Sequence, residues 1–173
     1  NRLDDEVYSA HDSGGLQNGS KNFWLRVVSK FGGPNISFDN GRTLMHFVNQ
    51  RDAAEFLVDL GFNKFNERDS QGQHSLFKIA SFLDHSLFRW AVAKGSDVDL
   101  HDRLGHSVFH YLTIDLIDWR FHDPSELLEI LEFLLVMGVN ITGRDHCLCN
   151  CSSGGCIPGA YWTQDTPSLW LLE

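Results

Sequence analysis

Four thiols, the whole cysteine complement of this 173-residue chain, stand close together as Cys147-x-Cys149-x-Cys151-x4-Cys156. Thiolates so near in sequence can converge on one tetrahedral Zn²⁺, which four cysteine sulfurs satisfy fully in closed structural sites. Three fates are open to them: structural zinc, disulfide or mixed redox chemistry, and free thiols in a Cys-rich loop. A Cys-x-Cys bridge is strained because its Cα atoms rarely reach bridging geometry, although Cys147 to Cys156 with one other pair is allowed. Structural zinc is the leading expectation. Four protein thiolates leave such an ion no open position for a reactive water, so hydrolytic chemistry is not expected of it.

The histidines offer two further patterns. His106 and His110 stand at i, i+4, the spacing of helical zinc sites, and Asp145-His146-Cys147 sets a thiol beside a base. Catalytic partners, however, are usually neighbours in space and not in sequence, and three more thiols beside a nucleophile invite oxidation or metal capture. No catalytic residue is assigned, and the expectation is a protein that is not an enzyme.

The elements that must position these groups follow a period. Asp69-Ser70-Gln71-Gly72 is answered by Asp102-Arg103-Leu104-Gly105, a repeat of 33 residues between the two glycines. Lys94-Gly95-Ser96-Asp97-Val98-Asp99 has its echo in Met137-Gly138-Val139-Asn140-Ile141, and a shorter copy runs from Asp39-Asn40-Gly41-Arg42-Thr43-Leu44-Met45-His46 to Leu60-Gly61-Phe62-Asn63-Lys64-Phe65-Asn66. Such a period is the mark of a solenoid. At these residues, roughly 39–145, the chain resembles the ankyrin repeat: Asp-x-x-Gly-x-Thr-Pro-Leu-His, two antiparallel helices, then Gly-Ala-Asp-Val-Asn. The Pro is replaced by Leu44, Ser75 and Val108, and the His stands at His46 and His110 with Phe77 between them. The Cys-rich close is similar to that of some fungal ankyrin-type proteins.

The resemblance implies an all-α solenoid with short β-hairpin or turn fingers and a Cys-rich C-terminal cap. Its expected parts are a flexible segment 1–20, a capping helix within 21–38 (about 22–31), and repeats 39–68, 69–101 and 102–144. Residues 145–173 then form the cap or a partial fourth repeat. Glycine spacing makes the first repeat short, with 20 positions from Gly41 to Gly61 against 23 from Gly72 to Gly95. A tighter turn near Asn49-Gln50-Arg51 is expected to absorb the difference. The third is long, 33 positions from Gly105 to Gly138, and its excess is assigned to an insertion at 113–125. Asp123-Pro124-Ser125-Glu126 restarts a helix there, and Thr166-Pro167 begins a closing one.

What the resemblance implies for function is protein recognition by hairpin tips and inner helices. In this register the partner-binding candidates are Arg42, Ser70, Gln71, Gln73, Arg103, Leu104 and His106. His110 falls on the Thr-x-x-His position, where the ring ties repeat to repeat, and His106 on a variable surface position. Trp119, in the insertion, is a further candidate anchor because aromatic residues lead interface hot spots.

Composition narrows the partners. The net charge of -9 gives no clustered basic footprint for nucleic acid and argues against an anionic membrane surface. The longest apolar stretch, Leu131 to Val139, is broken by Glu132 and is too short to span a bilayer. Thiols held on zinc suit a reducing compartment, so the expected location is intracellular, in cytoplasm or nucleus, and the sequons at Asn18, Asn35, Asn140 and Asn150 are read as chance. Two alternatives stand beside the recognition module: an enzyme with a site built from 113–125 and the cap, and a regulatory segment of a longer chain, which a start at Asn1 without Met suits.

Overall fold

Helix α1, Lys21–Phe31, presents Phe23, Trp24 and Val27 along one side, and all three are buried. Amides of Gly32 and Gly33 then both turn back to Val28 O, at 3.1 and 2.9 Å, and end it. The computed structural model describes residues 21–114, 124–140 and 143–146. Among these residues all regular structure is helical, so the class is all-α. The hairpin fingers are isolated antiparallel bridges, Ser37 with Thr43 and Arg68 with His74.

Three helix-turn-helix units follow α1. They are the 3₁₀ helix η1 (Leu44–Phe47) with α2 (Arg51–Asp59), α3 (Ser75–Ser81) with α4 (His85–Ala93), and α5 (Val108–Ile114) with α6 (Pro124–Val136). First helices pack on first helices, η1 on α3 and α3 on α5; second helices pack on second helices, α2 on α4 and α4 on α6, while α1 lies on α2. One apolar core runs through the stack from Trp24 through Leu57, Leu76, Phe88 and Leu112 to Ile130 and Leu134. Burying each such side chain contributes about 1.5–3 kcal/mol, and that drives the stacking of helices too short to stand alone.

The shortness of the first unit lies elsewhere than expected. Three residues join η1 to α2, and three join α3 to α4; the difference is in the helices, four residues for η1 and seven for α3. The chain loses a turn of helix because a 3₁₀ turn closes with i to i+3 bonds and needs no more length to bury Leu44 and Met45. Thr113 and Ile114 belong to α5 and Pro124 and Ser125 to α6, so helix enters both ends of the stretch 113–125 assigned to the insertion. Expectations for 1–20, 115–123 and 147–173 lie outside the described residues.

Two asparagines clip the units together on their outer loops. Asn35 donates to Gly61 O at 2.8 Å and accepts from Asn63 N at 3.0 Å, and Asn66 repeats this with Gly95 O and Asp97 N, each at 2.9 Å. Each side-chain amide thus serves two backbone groups that otherwise have no ladder. Asn35 is half-buried, and Asn66 and Asn140 are exposed.

Candidate functional site

Each unit opens with a tight turn closed by the same pair of bonds: Phe38 N to Arg42 O, Asp69 N to Gln73 O and Asp102 N to His106 O, with the Gly41, Gly72 and Gly105 amides returning to Phe38 O, Asp69 O and Asp102 O. The turns then bond to one another. Ser70 N donates to Asn40 O at 2.6 Å, Arg103 N to Gln71 O at 3.2 Å, and His146 N to Leu104 O at 2.7 Å. The same backbone group is used three times, so Asp145 and His146 continue the row as the start of a fourth turn. Packing this close requires glycine. Gly41, Gly72 and Gly105 all have φ +80°, and a Cβ on Gly72 would lie 2.8 Å from Arg103 N.

Buried aspartates hold the turns from inside. Asp69 Oδ1 accepts from Gln71 N and Gln73 N, and Asp102 Oδ1 from Leu104 N and His106 N. The other oxygens reach outward: Asp69 Oδ2 is 3.4 Å from Arg42 Nε, and Asp102 Oδ2 accepts from Tyr111 OH at 2.8 Å and meets His106 Nδ1 at 3.0 Å. Phe38 holds the aspartate's place in the first turn, where Asn40 Oδ1 caps Arg42 N instead.

The links join into one polar chain. Gln73 Nε2 donates to Tyr111 OH at 2.6 Å, Tyr111 to Asp102, and His106 spans from Asp102 to Asp145 Oδ2, 3.4 Å from its Nε2. Burial alone would raise the Asp102 carboxyl, but the Tyr111 hydroxyl and the His106 amide and ring bring it below its ordinary value. Burial and the neighbouring Asp102 push the Tyr111 phenol up, so it stays a donor through the physiological range.

The structure brings seven of the partner-binding candidates onto this one row. Ser70, Gln71, Arg103 and Leu104 are exposed at the tips, with Leu104 61% accessible, while Arg42 and Gln73 are half-buried. His106 is not the open surface position expected: its side chain is 14% exposed because two aspartates grip it. Trp119 and the four cysteines lie outside the described residues. The sequence does not single out Tyr111, and it places Asp145 only as the start of the cap or fourth repeat. The available signal was spacing, since Tyr111 follows Gly105 by the same interval that places Phe47 and Lys78 after Gly41 and Gly72.

His46 and His110 stitch the helix starts. Thr43 N donates to His46 Nδ1 at 3.0 Å, which fixes the proton on Nε2 and lets it donate to Gln73 O of the next unit at 3.2 Å. Ser107 N and His110 Nδ1 repeat the first of these bonds, so His110 and His106 do not share a metal site in this geometry. Burial lowers the His46 pKa. The middle unit reverses the pair: His74 stands at the hydroxyl's place and Phe77 at the imidazole's, and Phe77 stacks on Tyr111 with centroids 4.6 Å apart. His74 is fully buried with neither ring nitrogen bonded among the described residues. Burial, then the His46 and Arg68 charges, lower its pKa to about 4.

Among the described residues no group of three or more His, Cys, Asp or Glu is arranged to hold a metal ion, and no helix is long and apolar enough to cross a membrane. No protein-family model matches the chain, and no curated protein matches it.

Proposed function

We propose that this is a protein-recognition module of the ankyrin type, a helical solenoid whose partner-binding surface is the row of turns. The observation that carries the reading is the register of that row. Three successive turn-to-turn bonds, Ser70 to Asn40, Arg103 to Gln71 and His146 to Leu104, hold the tips at a fixed spacing. Inward-facing aspartates each use one oxygen on the turn itself, and Ser70, Gln71, Arg103 and Leu104 are left exposed to solvent. A rigid edge of varied side chains over a satisfied backbone suits recognition, because little ordering entropy is lost on binding. Cys147, Cys149, Cys151 and Cys156, which begin one residue past His146, are read as a structural zinc site that secures the end of the row.

Two measurements test this. Quantitative capture from a cell extract should retain a defined protein set on the wild-type chain and lose it on the Arg103→Glu, Leu104→Ser double variant, whose helical circular dichroism should be unchanged. An identical set on both chains would remove the turn row as the binding surface. Elemental analysis of protein purified without added metal should find about one zinc per chain and four reactive thiols after denaturation in chelator. Metal-free protein with thiols missing would replace zinc with disulfides and move the expected location out of the reducing compartment.

A further inference from the structure

We propose that the outer face of α6 is a docking site for this chain's own segment Thr166–Leu172. With α4 and α6 aligned on the glycines that follow them, Gly95 and Gly138, Leu128, Leu131, Glu132 and Leu135 of α6 stand where α4 has His85, Phe88, Arg89 and Val92. On α4 that face meets α6. His85 Nδ1 pairs with Glu129 Oε2 at 2.8 Å and its amide donates to Glu126 Oε2 at 3.0 Å. The Phe88 ring meets Phe133 edge-on at 6.3 Å, and the Arg89 guanidinium lies 5.1 Å from the same ring. The equivalent face of α2 begins at Arg51, whose Nη1 reaches Ser86 Oγ of α4 at 3.2 Å. In α2 and α4, then, this face is taken by the next helix of the row.

On α6 the same face is more apolar, and its Leu128 and Leu135 are exposed while Leu131 between them also packs against the core. Leu128 replaces the position of His85 and is 56% exposed; Leu135 replaces Val92 and is 52% exposed, with Met137 47% exposed beyond it. Leu128, Leu131 and Leu135 follow one another at helical spacing, so they form a continuous stripe. A stripe of this kind left in water marks a contact surface.

Residues 147–173 supply an occupant of matching chemistry. Their densest apolar run is Leu169-Trp170-Leu171-Leu172, after Thr166-Pro167. His146, bonded to Leu104 O, releases the chain at the same end of the stack as α6. Nineteen residues separate His146 from Thr166, and the nine that follow Cys156 alone reach about 30 Å when extended, against the roughly 20 Å length of α6. Tethering on such a linker gives an effective concentration on the order of mM, so modest apolar contact suffices for occupancy.

The test uses the full chain with the photo-crosslinking residue benzoylphenylalanine placed at Leu135, and in a second protein at Leu25, an exposed control on α1. Irradiation of the Leu135 protein should give an intrachain crosslink, mapped by mass spectrometry to 166–172 and unchanged in yield on tenfold dilution. Adding Leu169→Asp and Trp170→Ser should cut that yield at least tenfold with helical circular dichroism retained. Crosslinks between two copies, crosslinks to another part of the chain, equal yield at Leu25, or no crosslink in folded protein would each overturn the assignment.

Discussion

His74 is the least comfortable residue in the described structure: an imidazole at full burial with two unsatisfied nitrogens, against a ring, Phe77, whose centroid is 4.0 Å away. The neighbouring units show what the site ordinarily does, because Thr43 and Ser107 hand a hydrogen bond to the histidine three residues on and His74 has only Phe77 there. Protonation would place a charge where no acceptor waits. The folded pKa, about 4, lies below the ordinary 6.5. Stability due to the neutral ring is therefore fully present above pH 6.5 and is lost as pH falls from there toward 4. The span amounts to about 3 kcal/mol. Urea unfolding from pH 7.5 to 4.5 should show that decline, and His74→Phe, similar in volume and unable to titrate, should reduce its slope, leaving the part due to the buried His46. An equal slope in the variant would sink the assignment to His74.

Glycine and helix length decide what happens at the scale of the element. Gly72→Ala must satisfy φ +80° and also bring a Cβ within 2.8 Å of Arg103 N, an atom of the backbone that bonds the turns together. Gly95→Ala meets φ +105° with nothing within 4 Å, so only the conformational cost of about 1–2 kcal/mol applies. Gly105→Ala falls between, because its nearest contact, at 2.9 Å, is the exposed ring of His146, which can swing aside. The expected order of destabilisation by thermal melting is Gly72 over Gly105 over Gly95; a Gly95 variant as damaged as Gly72 would refute the close-approach argument. These glycines were also what made the fold legible. Their interval, with the apolar stripes of Leu76, Ile79 and Ala80 or Leu87, Phe88 and Ala91, places the helix pairs from the sequence alone. Features set by contacts across units were not legible. His106 reads as surface until Asp145, far along the chain, closes over it. The lost turn of η1 reads equally well as a short loop, since spacing gives only the sum of the two.

At the scale of the whole molecule the packing is a relay. α1 rests on α2, α2 on α4 and α4 on α6, and the core that joins them is continuous with no second centre among the described residues. Trp24 is its first large member, fully buried on α1 and edge-on to Phe23 with centroids 5.1 Å apart. Trp24→Ala should cost about 3–5 kcal/mol locally, but α1 has its principal contact with a single neighbour, so the loss cannot spread evenly. Hydrogen exchange read by mass spectrometry should show α1 unprotected, α2 and η1 weakened, and α4 and α6 close to wild type. An even loss of protection from α1 to α6 would mean instead that the stack unfolds as one unit, with neighbour contacts strong enough to make any local opening global. The direction of the gradient also separates the two ends: damage at Trp24 should leave the α6 face and the Asp102–His106–Asp145 grip as they are, because the principal contact of α1 is with α2, at the far end of the relay from α6.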